Sequence, residues 1–217
     1  KEFYHCFSTG EHGNIFDFIM KTQNLKFGEA VKTLANFAGM QPYTFSKQDE
    51  EREKNWKEYS SIYFDYVENY HQALLKNHTS ESARNYLNKR NLTEDEIKKF
   101  KIGYVEKNGN YYEKLREKHN EKVLKDCGLF YFDEKKNIYV ERFRDRVIFP
   151  INTISGQPIA IGGRIISNQS YLAKYINSPE TFFFKKRNNL YNLDKARKLS
   201  SSSDFVYLVE GYMDVVG

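Results

Sequence analysis

Apolar spacing changes period at Ile102, and no other feature of the chain limits the fold as strongly. Upstream, Trp56, Tyr59, Tyr63, Tyr66, Val67 and Tyr70 recur every three or four residues. They lie in a polar stretch over residues 48–77, which predicts one long helix with a single aromatic packing face rather than a base-stacking platform. Asn14 is suited to cap a helix over 15–23 with Ile15, Phe18 and Ile19 on one side. A second helix is expected over 28–40, stopped by Gly39. A third is expected over 80–88, and Thr93 with Glu96 spells a capping box for a fourth that reaches Phe100. Downstream, Ile102 to Val105 reads as a strand and 111–120 as a helix. Two hairpins are expected, 129–132 with 137–140 and 146–154 with 158–166. Asp194 to Leu199 reads as a short helix and Ser200 to Ser203 as a flexible link. Phe205 to Val209 is an apolar run that predicts a buried parallel strand. Helices first and strands after make the fold class α+β, a helical segment followed by a mixed α/β segment.

With 217 residues, 40% hydrophobic and 29% charged, the chain is apolar enough to build a core, which excludes wholesale disorder. No run approaches the ~18 apolar residues of a membrane span, so a soluble protein without membrane contact is expected. Two cysteines, Cys6 and Cys127, form no disulfide framework and favour a reducing compartment, the cytoplasm. No apolar leader follows Lys1, and because the first residue is not Met a fragment of something longer is expected. There is no internal repeat.

The whole-chain charge of +5 hides an asymmetry: residues 139–198 hold eleven Lys/Arg against four Asp/Glu, a net of +7. A local excess of that size suits a polyanionic partner or a well-solvated surface. In the Glu210-Gly211-Tyr212-Met213-Asp214 segment, an acidic residue leaves the end of the expected strand, where open α/β sheets bind ligands. Glu210 and Asp214 are hard oxygen donors of the kind Mg²⁺ takes, although a helix N-cap explains Asp214 equally well.

The sequence from Val209 to Asp214 resembles the opening motif of the Toprim fold as it occurs in bacterial DnaG-type primases. Arg142-Phe143-Arg144-Asp145-Arg146-Val147-Ile148-Phe149-Pro150-Ile151 is similar to the RFRxRVxFPI stretch of that family. Gly156 through Gly162-Gly163-Arg164 resembles its glycine hairpin, and Lys174-Tyr175-Ile176-Asn177-Ser178-Pro179-Glu180-Thr181 its KYLNSPET motif. Phe184-Lys185-Lys186 with Leu190-Tyr191-Asn192-Leu193 resembles the run that follows. Tyr4-His5-Cys6-Phe7 with Gly10 resembles the close of the family's zinc ribbon, and Ile15-Phe16-Asp17-Phe18 the helix after it. The motifs occur in order across nearly the whole chain.

The resemblance implies DNA-directed synthesis of short RNA primers on a single-stranded template by metal-dependent nucleotidyl transfer. It divides the chain into the end of a zinc ribbon with its following helices (1–40), a linker and helical part of the core (41–101), a basic α/β subdomain (102–203) and the start of Toprim (204–217). Glu210 is then a catalytic carboxylate holding Mg²⁺ or Mn²⁺, supported by Asp214. Arg142, Arg144 and Arg146 alternate along an expected strand and so face one side, a row for phosphates. Arg164, Lys174 and Lys186 are the other phosphate-seeking cations, Lys185 and Arg187 flank the last, and Tyr175 is a stacking ring. Template DNA, RNA primer and nucleoside triphosphates are the implied partners, with a replicative helicase engaged through a C-terminal domain beyond this chain.

Two departures from the family pattern carry expectations of their own. Cys6 corresponds to one zinc ligand, but Thr9 stands where a second Cys belongs, so the remnant site is expected not to hold zinc, with His5 and His12 as surface or packing residues. The family's further aspartates lie past Gly217, so the chain is expected to bind template without making primers. Two alternatives stand beside the enzyme reading: a non-catalytic single-stranded DNA-binding fragment, or a phage-type Toprim primase. The helical segment before Ile102 fits the bacterial type better than the phage type, and the Asn-Ser-Pro-Glu-Thr stretch speaks against a Toprim nuclease.

Overall fold

The computed structural model describes residues 3–41, 46–167, 171–199 and 205–217. It divides into two compact units, Lys1–Arg52 and Glu53–Gly217. The Ser200 to Ser203 link expected from sequence lies outside the described residues.

The first unit pairs two short antiparallel strands, β1 (Tyr4–His5) and β2 (His12–Gly13), before helices α1 (Ile15–Gln23) and α2 (Phe27–Phe37). Asn14 caps α1 as expected: its side chain accepts from the backbone N–H groups of Phe16 and Asp17, and Asp17 returns the bond to Asn14 N–H at 2.8 Å. Tyr4 meets Phe18 edge-on at 5.2 Å, yet Ala30 is the one fully buried apolar residue among those described in this unit. Ile15 and Phe18 remain largely exposed.

Helix α3 (Lys47–Lys76) begins in the first unit and lies mostly in the second. It is followed by α4 (Glu81–Asn88) and α5 (Glu94–Lys99), the latter opened by the expected Thr93–Glu96 capping box. Strand β3 (Gly103–Val105) comes next. The helix expected over 111–120 is shorter, α6 (Tyr112–Arg116), and an unexpected helix, α7 (Glu121–Asp126), follows it. Asn120 makes the division, because its side chain accepts from Lys122 and Val123 N–H and so starts a new helix.

Strands β4 (Phe130–Asp133) and β5 (Ile138–Glu141) form the first hairpin, and β6 (Arg146–Asn152) and β7 (Pro158–Ile165) the second. An unexpected strand, β8 (Tyr175–Asn177), extends the main antiparallel sheet to the order β3-β6-β7-β8. Helices α8 (Leu193–Leu199) and α9 (Tyr212–Val216) complete the elements. The fold is α+β, as the switch of period predicts.

The sheet has a core on each face because side chains alternate along a strand. Ile148, Ile159 and Ile161 join Tyr59, Tyr63 and Tyr66 of α3. Val147 and Phe149 join Leu74, Ala83, Leu87 and Ile97. The aromatic stripe of α3 is therefore a packing face.

Two expectations fail. Phe205 to Val209 is not a buried strand: it pairs with no strand among the described residues, and its side chains are exposed, Tyr207 at 81%. A fully apolar strand is buried where neighbouring strands and helices cover both its faces, and among the described residues no strand pairs with this run. Arg142 to Asp145 is a turn between β5 and β6, not a continuous strand. Asp145 adopts φ +58, a left-handed conformation that Asp tolerates and that ends strand alternation. Among the described residues no helix is long and apolar enough to cross a membrane.

Candidate nucleic-acid interface

Register in the main sheet aligns two rows of residues on one face. Val147 of β6, Arg164 of β7 and Tyr175 of β8 pair across the strands in one row, and Phe149, Gly162 and Asn177 in the next. The face bearing these rows opens into a cavity of about 910 Å³. Four cations line it, Arg90, Arg164, Lys174 and Lys186, together with the carboxylates Glu210 and Asp214.

Arg164 is the most constrained of these. It is only 8% exposed, its guanidinium lies 5.0 Å from the centre of the Tyr175 ring and 5.3 Å from that of Tyr86, and its Nε has no hydrogen-bond partner. It forms no ion pair with any described residue. Both rings attract the planar cation by cation–π interaction, and Nε remains without a partner. A buried guanidinium without an anion is costly.

Lys174 is exposed beside it, and Tyr175 is partly exposed at the wall of the cavity. Lys186 lies in a short 3₁₀ turn whose backbone N–H donates to Glu180 Oε1 at 3.1 Å. Neighbouring Lys185 pairs with Glu180 at 3.5 Å, and Arg187 is exposed; neither lines the cavity. Arg90 was not singled out from the sequence. It follows Tyr86 by four residues, in the turn just past the end of α4, and its guanidinium lies over that ring at 5.7 Å.

Arg142, Arg144 and Arg146 do not form the expected row. Arg142 donates to the carbonyl oxygens of Gly128 at 2.9 Å and Phe130 at 3.4 Å. Arg144 donates to the Tyr131 hydroxyl at 3.0 Å. Arg146 is buried, and its Nη1 donates to the carbonyls of Gly163 and Lys174 at 3.4 and 3.3 Å. Burial pushes its guanidinium pKa down. The intervening turn sends the three side chains to different protein carbonyls and hydroxyls, and none lines the cavity.

Glu210 is exposed at the cavity without a hydrogen-bond or ion-pair partner among the described residues. Asp214 uses Oδ2 to accept from Gly211 N–H at 3.0 Å, capping α9, which leaves Oδ1 open. In the first unit, Cys6 Sγ lies 3.2 Å from the Ser8 hydroxyl, and hydrogen bonds from Ser8 and Thr9 lower its thiol pKa to about 6. Among the described residues no group of three or more His, Cys, Asp or Glu is arranged to hold a metal.

The profile of the DNA primase catalytic core, N-terminal domain, matches residues 70–197, more than half of the chain. This chain belongs to that family. The CHC2 zinc finger profile matches residues 1–51. DNA primase of Staphylococcus epidermidis is 36% identical over 224 residues, and DNA primase of Escherichia coli K12 is 35% identical over 219. Both alignments take in all of this chain but 37% of the relative, so the chain spans little more than a third of their length. A DnaG primase catalytic domain solved bound to ssDNA superposes with TM-score 0.67 at 33% identity, over 75% of this chain and 50% of that one. The Aquifex aeolicus primase, zinc-binding and RNA polymerase domains, covers 99% of this chain and 51% of its own at TM-score 0.63 and 27% identity.

Proposed function

We propose that this chain is the template- and nucleotide-gripping part of a DNA primase that synthesises short RNA primers on single-stranded DNA. The observation that carries the reading is Arg164, a buried guanidinium with no anion among the described residues, set against two rings at the wall of a cation-lined cavity. Arg164, Lys174, Lys186 and Arg90 take phosphates, and Tyr175 offers a face on which a base stacks. Single-stranded template and nucleoside triphosphates are the ligands, with an RNA primer as product. A replicative helicase is engaged outside residues 1–217, and the setting is the cytoplasm. Residues 102–203 act as the basic subdomain and 204–217 as the beginning of Toprim.

The donor set of Glu210 and Asp214 suits Mg²⁺ or Mn²⁺, which are held by one or two carboxylates and complete their shell with water and substrate phosphate. Glu210, with both oxygens free, is the principal holder, and Asp214 contributes its uncapped oxygen. Bound there, the ion neutralises phosphate charge during nucleotidyl transfer. Zinc does not fit the residues present. One thiolate at Cys6 beside Thr9 falls short of the four ligands a structural site takes, so no role is derived for zinc.

A second reading, single-stranded DNA binding without catalysis by residues 1–217 alone, is favoured by the presence of only two carboxylates at the cavity among the described residues. Anisotropy of a labelled oligo-dT tests the shared part of both readings. Arg164→Gln is expected to weaken binding about tenfold, the lower range of a lost charge-assisted contact. Wild-type affinity in that variant defeats the proposal. Mg²⁺-dependent primer formation by the isolated chain separates the two readings, and we expect template binding without it.

A further inference from the structure

We infer that Tyr212 is a positioning residue that anchors the Glu210–Asp214 segment at the cavity, and that Gly162 is the socket its ring occupies. Glu210 and Asp214 lie two residues either side of Tyr212. Tyr212 touches the whole row Phe149–Gly162–Asn177. Its ring stacks on Phe149 at 5.4 Å with a 7° interplanar angle, and its hydroxyl donates to Asn177 Oδ1 at 2.7 Å. Between those two contacts the ring lies directly over Gly162, where a Cβ would approach its Cζ to 2.4 Å and its Cε2 to 2.5 Å. Tyr191 closes the far side edge-on, at 4.9 Å and 87°.

The inference rests on the proposed role of Glu210, and its test separates the two. Tyr212→Phe keeps the stack and removes the bond to Asn177. Tyr212→Ala empties the socket, and Gly162→Ala fills it. Hydrogen exchange of amides 211–217 is measured for each variant of the 217-residue chain and for the Gly162→Ala/Tyr212→Ala double variant. ATP affinity is measured with Mg²⁺ and with EDTA, and oligo-dT affinity serves as the control. Tyr212→Phe is expected to speed exchange and reduce the Mg²⁺-dependent gain in ATP affinity by about three- to tenfold, the span of one lost hydrogen bond. Gly162→Ala is expected to do more in the wild-type background and nothing further once Tyr212 is Ala. Oligo-dT affinity stays within about twofold, since Arg164, Lys174 and Lys186 are untouched.

Additive effects of Gly162→Ala and Tyr212→Ala on exchange overturn the socket. Faster exchange with an unchanged Mg²⁺ gain overturns the positioning role. A wild-type chain that binds ATP equally with Mg²⁺ and with EDTA overturns the proposed role of Glu210 instead, and the exchange cycle then decides the anchor alone.

Discussion

Glu141 ends β5 wholly buried, with three donors converging on its carboxylate. The hydroxyls of Tyr66 and Tyr70 donate at 2.8 and 2.6 Å, and the backbone N–H of Tyr111 at 2.8 Å. Burial nevertheless prevails over these bonds and pushes the carboxyl up to about 7. A carboxyl whose folded pKa is raised adds stability when protonated, fully below its unfolded pKa near 4.3, and that contribution disappears as pH rises through the folded value. Chemical denaturation of the wild type is therefore expected to show stability falling between pH 4.5 and 7, by up to about 3 kcal/mol. Glu141→Gln should flatten that slope, since Gln remains neutral while keeping an acceptor for Tyr70. Equal slopes for the two proteins would place the pH sensitivity elsewhere. Residues of this kind were not legible in the sequence, where Glu141 is one acid in a basic stretch. The neighbouring arginines show the converse. Their i, i+2 spacing suggested a shared face, but one left-handed residue, Asp145, redirected them onto protein carbonyls. Arg164 was legible through its motif, whereas the two rings that hold it come together only in three dimensions.

At the scale of elements, α3 pins the domain with tyrosine hydroxyls. Tyr59 donates to Ile159 O at 2.7 Å and Tyr63 to Cys127 O at 2.8 Å, while the next two tyrosines reach Glu141. The repeat at three and four residues revealed the buried face and the extent of the helix to within a residue at each end. It could not reveal the hydroxyl partners, which belong to residues 60 to 120 positions away. Tyr63→Phe retains the ring and removes its hydroxyl from between Cys127 O and Ser178 Oγ. It is expected to cost about 1–2 kcal/mol by urea denaturation, the range for a buried acceptor left unpaired. A loss below half that would mean water replaces the hydroxyl. Strand β8 escaped notice because it is three residues long and takes its pairing from β7.

For the molecule as a whole, nearly all buried apolar residues fall in Glu53–Gly217, as do both core clusters and every residue lining the cavity. The basic excess over 139–198 overstates the charge presented to a ligand, because Arg142, Arg144 and Arg146 are spent internally. Four lining cations predict a slope of about −3 for log affinity of oligo-dT against log salt, using the single-strand factor. A slope near zero would remove the cavity as the binding surface.

Gly162 and Gly163 are adjacent and face opposite ways. On one side the ring of Tyr212 occupies the room that a Cβ on Gly162 would need. On the other, a Cβ on Gly163 would come within 2.6 Å of the Phe143 ring and 3.2 Å of Arg146 Cδ. The sheet is thus approached to backbone thickness from both directions at a single point. A tandem glycine ordinarily suggests slack in a chain. Here it works as a waist between two compartments: the turn bearing Arg142 and Arg144 leans on one side and the carboxylate segment on the other. Any side chain added at the waist shifts whichever neighbour it meets, so drift in the sequence there is barred from both directions at once.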